Sequence, residues 1–328
     1  MAIKKIRGGI TAPRGFLAAG IHAGIKKPPA PDLALVVSEQ AGPIAGVFTT
    51  NRVTAAPVLL DRQHLRGGVG RAILVNSGNA NACTGASGLV DAKAMARLVA
   101  ERLDTAVTRV FIGSTGVIGR PLPIQRIRAG IPALFKQLRR GGGRDAARAI
   151  MTSDLKLKEV ALQAKIAGRV VTVGGMAKGS GMIHPDMATM LAYLTTDAAV
   201  SQPTLQRALE AAVAPSFNSI SVDGDTSTND TVLCLANGLA GNPLIRDGSP
   251  ELAVFQTLLD DACHDLALQV CRDGEGVTKV VELLGKGART QAEAKLVAKT
   301  IATSSLVKTA LFGEDANWGR IMAAIGRS

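Results

Sequence analysis

A threonine that became the first residue of a chain would carry both halves of a nucleophilic centre. Its hydroxyl can attack a carbonyl, and its own α-amine, which titrates at about 7.7–8.0 when unperturbed, can take the proton. The segment 178–197, KGSGMIHPDMATMLAYLTTD, offers such a residue in Thr189. Attack of Thr189 Oγ1 on the Ala188 carbonyl would turn that amide into an ester, and hydrolysis of the ester would free the amine. Spacing alone favours a plainer reading, a threonine opening a buried strand. Other nucleophile signals are weaker: the serine elbow G-x-S-x-G is absent, and His184, one of four histidines, reads as a turn residue before Pro185 rather than as a base.

The glycine-rich stretches do not spell nucleotide sites. Residues 113–119 (GSTGVIG) have the spacing G-x-x-G-x-x-G, and residues 174–180 (GGMAKGS) put Lys178 before a glycine instead of after one. A tight strand-to-helix turn is the local reading of 113–119. Residues 223–230 (DGDTSTND) open like a calcium loop, but Thr228 stands where glycine is needed and Cys234 where glutamate is needed. A polar structural loop close to an active site suits them better.

Alternating β-branched runs and glycine turns predict strands at Leu33–Ser38, Ile44–Thr49, Ala72–Asn76 and Val110–Gly113, with helices at Leu89–Leu103 and Ile124–Leu138. Residues 139–144 (RRGGGR) read as an exposed loop. A hairpin over Val160–Ile166 and Val170–Ala177 turns at Ala167–Gly168, and a polar interruption follows at 178–188. Further on, the pattern predicts a buried strand at Met190–Ala198, a helix at Gln202–Val213 and a strand at Thr231–Ala236. Then come a long helix from Pro250 to Val270 with Pro in its first turn, a strand at Val277–Leu283, and helical stretches from Gln291 and Asn317.

The chain has 328 residues, 47% of them hydrophobic, and only nine aromatic side chains. Its core must therefore be built from Ala, Val, Leu and Ile, which suits a layered α/β architecture. No stretch of about 18 apolar residues occurs without a charge, so a soluble cytoplasmic protein with no membrane partner is expected. Cys83, Cys234, Cys263 and Cys271 lack any C-x-x-C spacing, which argues against a metal site or a disulfide framework and suggests small buried hydrophobes. The net charge of +12 is dispersed and not interleaved with aromatics, which disfavours nucleic acid as a partner. A positive field that draws in anionic amino acids is a milder use of it.

Several segments together resemble the ornithine acetyltransferase family, the bifunctional glutamate N-acetyltransferases of arginine biosynthesis. Besides 178–197 and 113–119, they are 10–20 (ITAPRGFLAAG), 46–52 (GVFTTNR), 75–85 (VNSGNANACTG), 217–231 (FNSISVDGDTSTNDT), 273–279 (DGEGVTK) and 317–326 (NWGRIMAAIG). They run in family order across nearly the whole chain. The resemblance implies an α/β fold of layered sheets and helices of the self-processing, N-terminal-nucleophile-like type. It implies cleavage between Ala188 and Thr189 into an α chain of residues 1–188 and a β chain of residues 189–328, paired as a heterotetramer.

The same resemblance assigns Thr189 as nucleophile, Thr115 and Gly116 as the oxyanion hole, and Thr152, Lys178, Thr189 and Glu275 as substrate-binding residues. A lysine suits an α-carboxylate and a glutamate suits an ammonium; by themselves Lys178 and Glu275 would read as solvated surface charges, and Thr152 as a helix N-cap. The implied reaction carries acetyl from N-acetylornithine to glutamate through acetyl-Thr189, with no metal or organic cofactor, and some members also take acetyl from acetyl-CoA. Two departures stand out. Residues 151–159 read MTSDLKLKE where the family has T-T-D-T followed by an aromatic and Pro. Relatives also continue past the N-W-G-R segment into a stretch that completes the substrate site, so a C-terminal part is expected to be missing. An amidohydrolase or aminopeptidase of the same nucleophile type, or a truncated inactive paralogue, is the alternative.

Overall fold

The computed structural model describes residues 2–27, 29–184 and 190–328. In chain order the elements are β1 (Lys4–Lys5), β2 (Phe16–Ile21), β3 (Leu33–Phe48), α1 (Ala56–Leu65), β4 (Val69–Asn79), α2 (Gly85–Leu103), β5 (Val110–Val117), α3 (Ile124–Lys136) and α4 (Gly143–Ala149). They continue with β6 (Lys158–Ile166), β7 (Arg169–Lys178), β8 (Leu191–Thr196), α5 (Gln202–Val213), β9 (Thr231–Ala236), α6 (Glu251–Cys271), α7 (Gln291–Ala302), α8 (Ser305–Phe312) and α9 (Trp318–Gly326).

Successive side chains of a strand point to opposite faces, and this alternation divides the interior into layers. Along β2 to β5, one face (Ala19, Ile21, Leu33, Leu35, Val37, Leu74, Ile112) packs with the helices α1 to α3. The other face (Phe16, Ala18, Ala34, Val36, Ile73, Val75, Phe111) meets Met176, Leu191, Tyr193, Leu233 and Leu235 from the second sheet. The outer face of that second sheet (Val171, Val173, Ala192, Leu194, Val232, Cys234) is covered by α5 and α6. The result is helices, two facing sheets, and helices again. The covering helices carry the stripe this requires: on α6 the buried residues Phe255, Leu258, Leu259, Ala262, Cys263, Leu266, Ala267 and Val270 recur at three- and four-residue steps.

The expected strands at 33–38 and 44–49 are one strand. Its first half pairs with β2 and β4, its second with β9, and the ladder to β4 shifts register between Val37 and Gly42. A bulge of this kind bends a strand and lets it serve both sheets. Two parallel pairs carry the site: β4 with β5, joined through α2, and β8 with β9, joined through α5.

Four further expectations are corrected. Residues 139–144 are not simply an exposed loop, because Gly142 and Gly143 are buried and α4 begins there. The predicted strand at Val277–Leu283 is absent: no ladder partner stands beside it among the described residues, and Val280 and Val281 are about half exposed. Pro250 caps α6 and is not in its first turn. Of the cysteines, Cys234 and Cys263 are buried, whereas Cys83 is exposed. No helix among the described residues is long and apolar enough to cross a membrane.

Candidate active site

The C-terminal ends of β4, β5 and β7 meet the N-terminal ends of β8 and β9 at one edge of the facing sheets. Ser77 stands opposite Thr115, Lys178 opposite Leu191, and Leu191 opposite Thr231. A small cavity there is lined by Thr115, Lys178, Met190, Leu191, Ser227, Asn229 and Asp230. Ala188 and Thr189, the expected cleavage point and nucleophile, lie outside the described residues.

Thr115 lies near the C-terminal end of β5, and Lys178 Nζ donates to its Oγ1 at 3.1 Å, joining the two sheets. Both side chains are withdrawn from solvent. A threonine oxygen that accepts from an ammonium keeps its own proton for another acceptor, which is the behaviour an oxyanion-hole hydroxyl needs. Gly116 follows with φ +132°, and a Cβ there would stand 2.4 Å from the carbonyl carbon of Gly78. Only glycine lets these two strand ends approach so closely.

Burial pushes the Lys178 ammonium below its ordinary pKa; Asp154 opposes the shift, Lys158 adds to it, and Asp230 and Glu275 also oppose it. The sequence-level alternative of a solvated surface charge does not describe Lys178. Thr152 and Glu275 are exposed and stand on segments tied to the same place. Thr152 N donates to Asp154 Oδ2 at 2.9 Å, and Gly179 N donates to Asp154 Oδ1 at 2.7 Å. Glu275 N donates to Ser180 O at 2.7 Å. The Glu275 carboxylate packs on Gly181, where an added Cβ would come within 2.7 Å of it. Thr152 caps no helix, so that alternative also falls away. Thr115 and Lys178 thus share the cavity and Gly116 adjoins Thr115, while Thr152 and Glu275 stand on segments hydrogen-bonded to, or through Asp154 tied to, the chain just after Lys178.

The loop 223–230 holds its surroundings. Asp223 Oδ1 accepts from Ile183 N at 2.9 Å. Asn229 Nδ2 donates to Ala80 O at 2.7 Å and to Ser114 O at 2.9 Å, bracing the C-terminal half of β5. Asp230 Oδ1 accepts from Met190 N at 3.0 Å, the nitrogen bonded to residue 189, while Oδ2 is buried with no hydrogen-bond partner among the described residues. Burial raises the Asp230 carboxyl well above its usual range; the Met190 N–H and Lys178 oppose the shift.

Asp154 and Lys26 are not among the residues the sequence points to, and Asp230 enters there only as the end of the polar loop 223–230. Lys26 Nζ donates to Met151 O at 2.6 Å and to Pro31 O at 2.8 Å, holding the chain just before Thr152. A buried carboxylate leaves a local trace only where it stands in a polar motif, as Asp230 does; Lys26 follows a plain turn and leaves none.

The chain as a whole is similar to known proteins. A sequence profile of the ArgJ family matches residues 17–328. The "Arginine biosynthesis bifunctional protein ArgJ" of Symbiobacterium thermophilum is 53% identical over 98% of this chain and 81% of its own. The crystal structure of the Bacillus halodurans protein of the same name is 38% identical, with a TM-score of 0.52, over 58% of this chain and 98% of its own. The ornithine acetyltransferase of Mycobacterium tuberculosis, solved in complex with ornithine, is 44% identical with a TM-score of 0.52, over 56% of this chain and 98% of its own.

Proposed function

Because the chain belongs to the ArgJ family, we propose that it transfers acetyl from N-acetylornithine to glutamate in arginine biosynthesis, with Thr189 as the residue that carries the acetyl group. The observation behind the site assignment is the convergence of Thr115, Lys178 and the Met190 nitrogen on one cavity, in a chain half identical to ArgJ proteins over nearly all its length.

In this reading the chain first cuts itself. Thr189 Oγ1 attacks the Ala188 carbonyl carbon, the Ala188–Thr189 C–N bond breaks as the hydroxyl proton moves to the nitrogen, and water hydrolyses the ester. The α chain then ends at Ala188 and the β chain starts at Thr189. One correspondence supports this boundary: the two solved relatives are matched over 98% of their own length by 56–58% of this chain, and 188 of 328 residues is the same share.

Transfer then takes two half-reactions. Thr189 Oγ1 attacks the acetyl carbonyl of N-acetylornithine while the Thr189 α-amine takes its proton. The oxyanion rests on the Thr115 hydroxyl and the Gly116 N–H. The amide C–N bond breaks, and ornithine leaves with the proton. The amine of glutamate next attacks acetyl-Thr189, forming N-acetylglutamate and restoring the Thr189 hydroxyl. Lys178 and Glu275 supply opposite charges for an amino acid's carboxylate and ammonium, and Thr152 the adjoining wall. Acetyl-CoA as a second donor, a heterotetramer of the two chains and a cytoplasmic place of work belong to the same proposal.

Intact-mass spectrometry on the purified protein, with Thr189→Ala beside it, tests the first step. Two fragments ending at 188 and starting at 189 in the wild type, and one uncut chain in the variant, are expected. An uncut wild type would remove Thr189 from this role. Acetylation of glutamate by N-acetylornithine, against release of free acetate, then separates transfer from hydrolysis.

A further inference from the structure

Lys158, at the start of β6, is 1% exposed, and its ammonium uses all three of its protons. Nζ donates to Asp273 Oδ2 at 2.6 Å, to Asp154 Oδ1 at 2.7 Å and to Lys156 O at 3.2 Å. Each carboxylate also gathers backbone N–H groups. Asp154 takes those of Thr152 and Gly179; Asp273 takes those of Leu155 and Lys156, at 3.0 and 3.1 Å. Two neighbouring strands and the remote segment around Asp273 therefore meet around one buried cation, and each carries or adjoins a residue assigned to the substrate. Thr152 is bonded to Asp154, Lys178 precedes Gly179, and Glu275 stands two residues after Asp273.

A buried ionic cluster is a poor means of adding stability, because desolvating the charges offsets most of their attraction. What it does supply is directional: short charge-assisted bonds fix the angle and depth of every segment they hold. We propose that Lys158 is a positioning residue for acetyl transfer, setting Thr152, Lys178 and Glu275 relative to one another through Asp154 and Asp273. The inference rests on the function argued above.

A charge effect accompanies the geometric one. Lys178 faces Asp154, Lys158, Asp230 and Glu275, and Lys26 lies on the same side. Lys158 is a cation that weakens the hold of Lys178 on its proton, whereas the carboxylates strengthen it. Without the Lys158 charge, Asp154 and Asp273 lose their shared counter-ion, and Lys178 stays protonated to higher pH. The basic limb of activity then moves upward.

Lys158→Met, Lys158→Arg and Asp273→Asn, compared with wild type, test the proposal through ornithine binding by calorimetry and steady-state transfer from N-acetylornithine to glutamate. Misplacing the substrate walls is expected to lower kcat/KM by about 100-fold in Lys158→Met and Asp273→Asn, mostly through KM, with a matching rise in the ornithine Kd. Lys158→Arg recovers part of the loss, and Lys158→Met shifts the basic limb upward. Wild-type Kd, KM and pH profile in the variants, with only thermal stability lowered, would overturn the proposal, because that is what a merely structural ion cluster gives. Should Lys158→Met not fold, Asp273→Asn decides, since it leaves the Lys158–Asp154 contact in place. Wild-type turnover judges the acetyl-transfer reading separately: a wild type that binds ornithine without transferring acetyl sinks that reading, while the ratio of ornithine Kd values still judges Lys158.

Discussion

The Lys178 ammonium donates to the Thr115 hydroxyl at 3.1 Å, across the gap between the two sheets, both residues being buried. That bond turns Thr115 into a donor toward a third group. Thr115→Val keeps the shape of the side chain and removes the donor. The expected loss is about 10²–10³-fold in kcat, with KM changed little, in steady-state transfer assays; chain cleavage slows as well if the same oxyanion hole serves both reactions. A Thr115→Val protein with wild-type kcat would take this hydroxyl out of the mechanism.

Gly116→Ala acts on the backbone of the same strand end. The new Cβ would meet the Gly78 carbonyl carbon at 2.4 Å and Asn79 N at 2.6 Å, both main-chain atoms, in a conformation of φ +132°. Neither neighbour can rotate away, so β4 and β5 must part. A stability loss of about 1–3 kcal/mol is expected from the conformation alone, with activity falling further than in Thr115→Val because both oxyanion donors move. Thermal unfolding and transfer assays on the one variant check both; a normal Tm would show that the two strand ends part without strain.

Asp61 gives a prediction independent of the reaction. Its Oδ1 accepts from Ile112 N at 2.9 Å, its Oδ2 has no partner among the described residues, and burial pushes its carboxyl well above the ordinary range. Unfolded, the group loses its proton near about pH 3.9; folded, it holds it to a higher pH. Between those two values the folded state binds more protons, so its contribution to stability falls as pH rises and is unpenalised below the lower one. Asp61→Asn keeps an acceptor for Ile112 and has nothing to ionise. The Tm of the variant relative to wild type should therefore climb with pH from about pH 4 upward. A difference that does not change with pH would mean that Asp61 is ionised in the fold.

Much of this architecture was legible, and the failures have physical causes. Helices α2 and α6 show because their apolar residues recur with the helical period over many turns. Helix α1 does not, being ten residues long and burying Asp61 and His64 among its apolar positions. Strand β3 reads as two because its exposed middle, Glu39 to Ala41, interrupts the apolar run at the bend between sheets. Residues 277–283 have strand-like composition, but a strand exists only where a neighbour completes its ladder. At the site, Thr115, Lys178 and Glu275 came from resemblance. Lys158 looks locally like one of several surface charges in MTSDLKLKE, and its burial depends on Asp273, 115 residues away. No local pattern carries such a relation.

Asn229 offers the sharpest test of how the loop 223–230 supports the end of β5 that carries Thr115 and Gly116. Its two amide protons go to the Ala80 and Ser114 carbonyls, and its own oxygen accepts from the Thr228 hydroxyl. Asn229→Ala leaves two buried carbonyls unpaired, at about 1–3 kcal/mol for each unsatisfied group. Asn229→Asp has nearly the same shape but turns an acceptor toward those two carbonyls, adding repulsion to the lost bonds. It should thus be the less stable variant near neutral pH, with kcat lowered because Ser114 adjoins Thr115. Protonating the new carboxyl restores one donor. The folded state then holds that proton more tightly than the unfolded chain, so the Tm deficit of Asn229→Asp narrows as pH falls toward about 5, while that of Asn229→Ala does not. Two deficits that run parallel with pH would show that this strand end is held by packing rather than by these two hydrogen bonds.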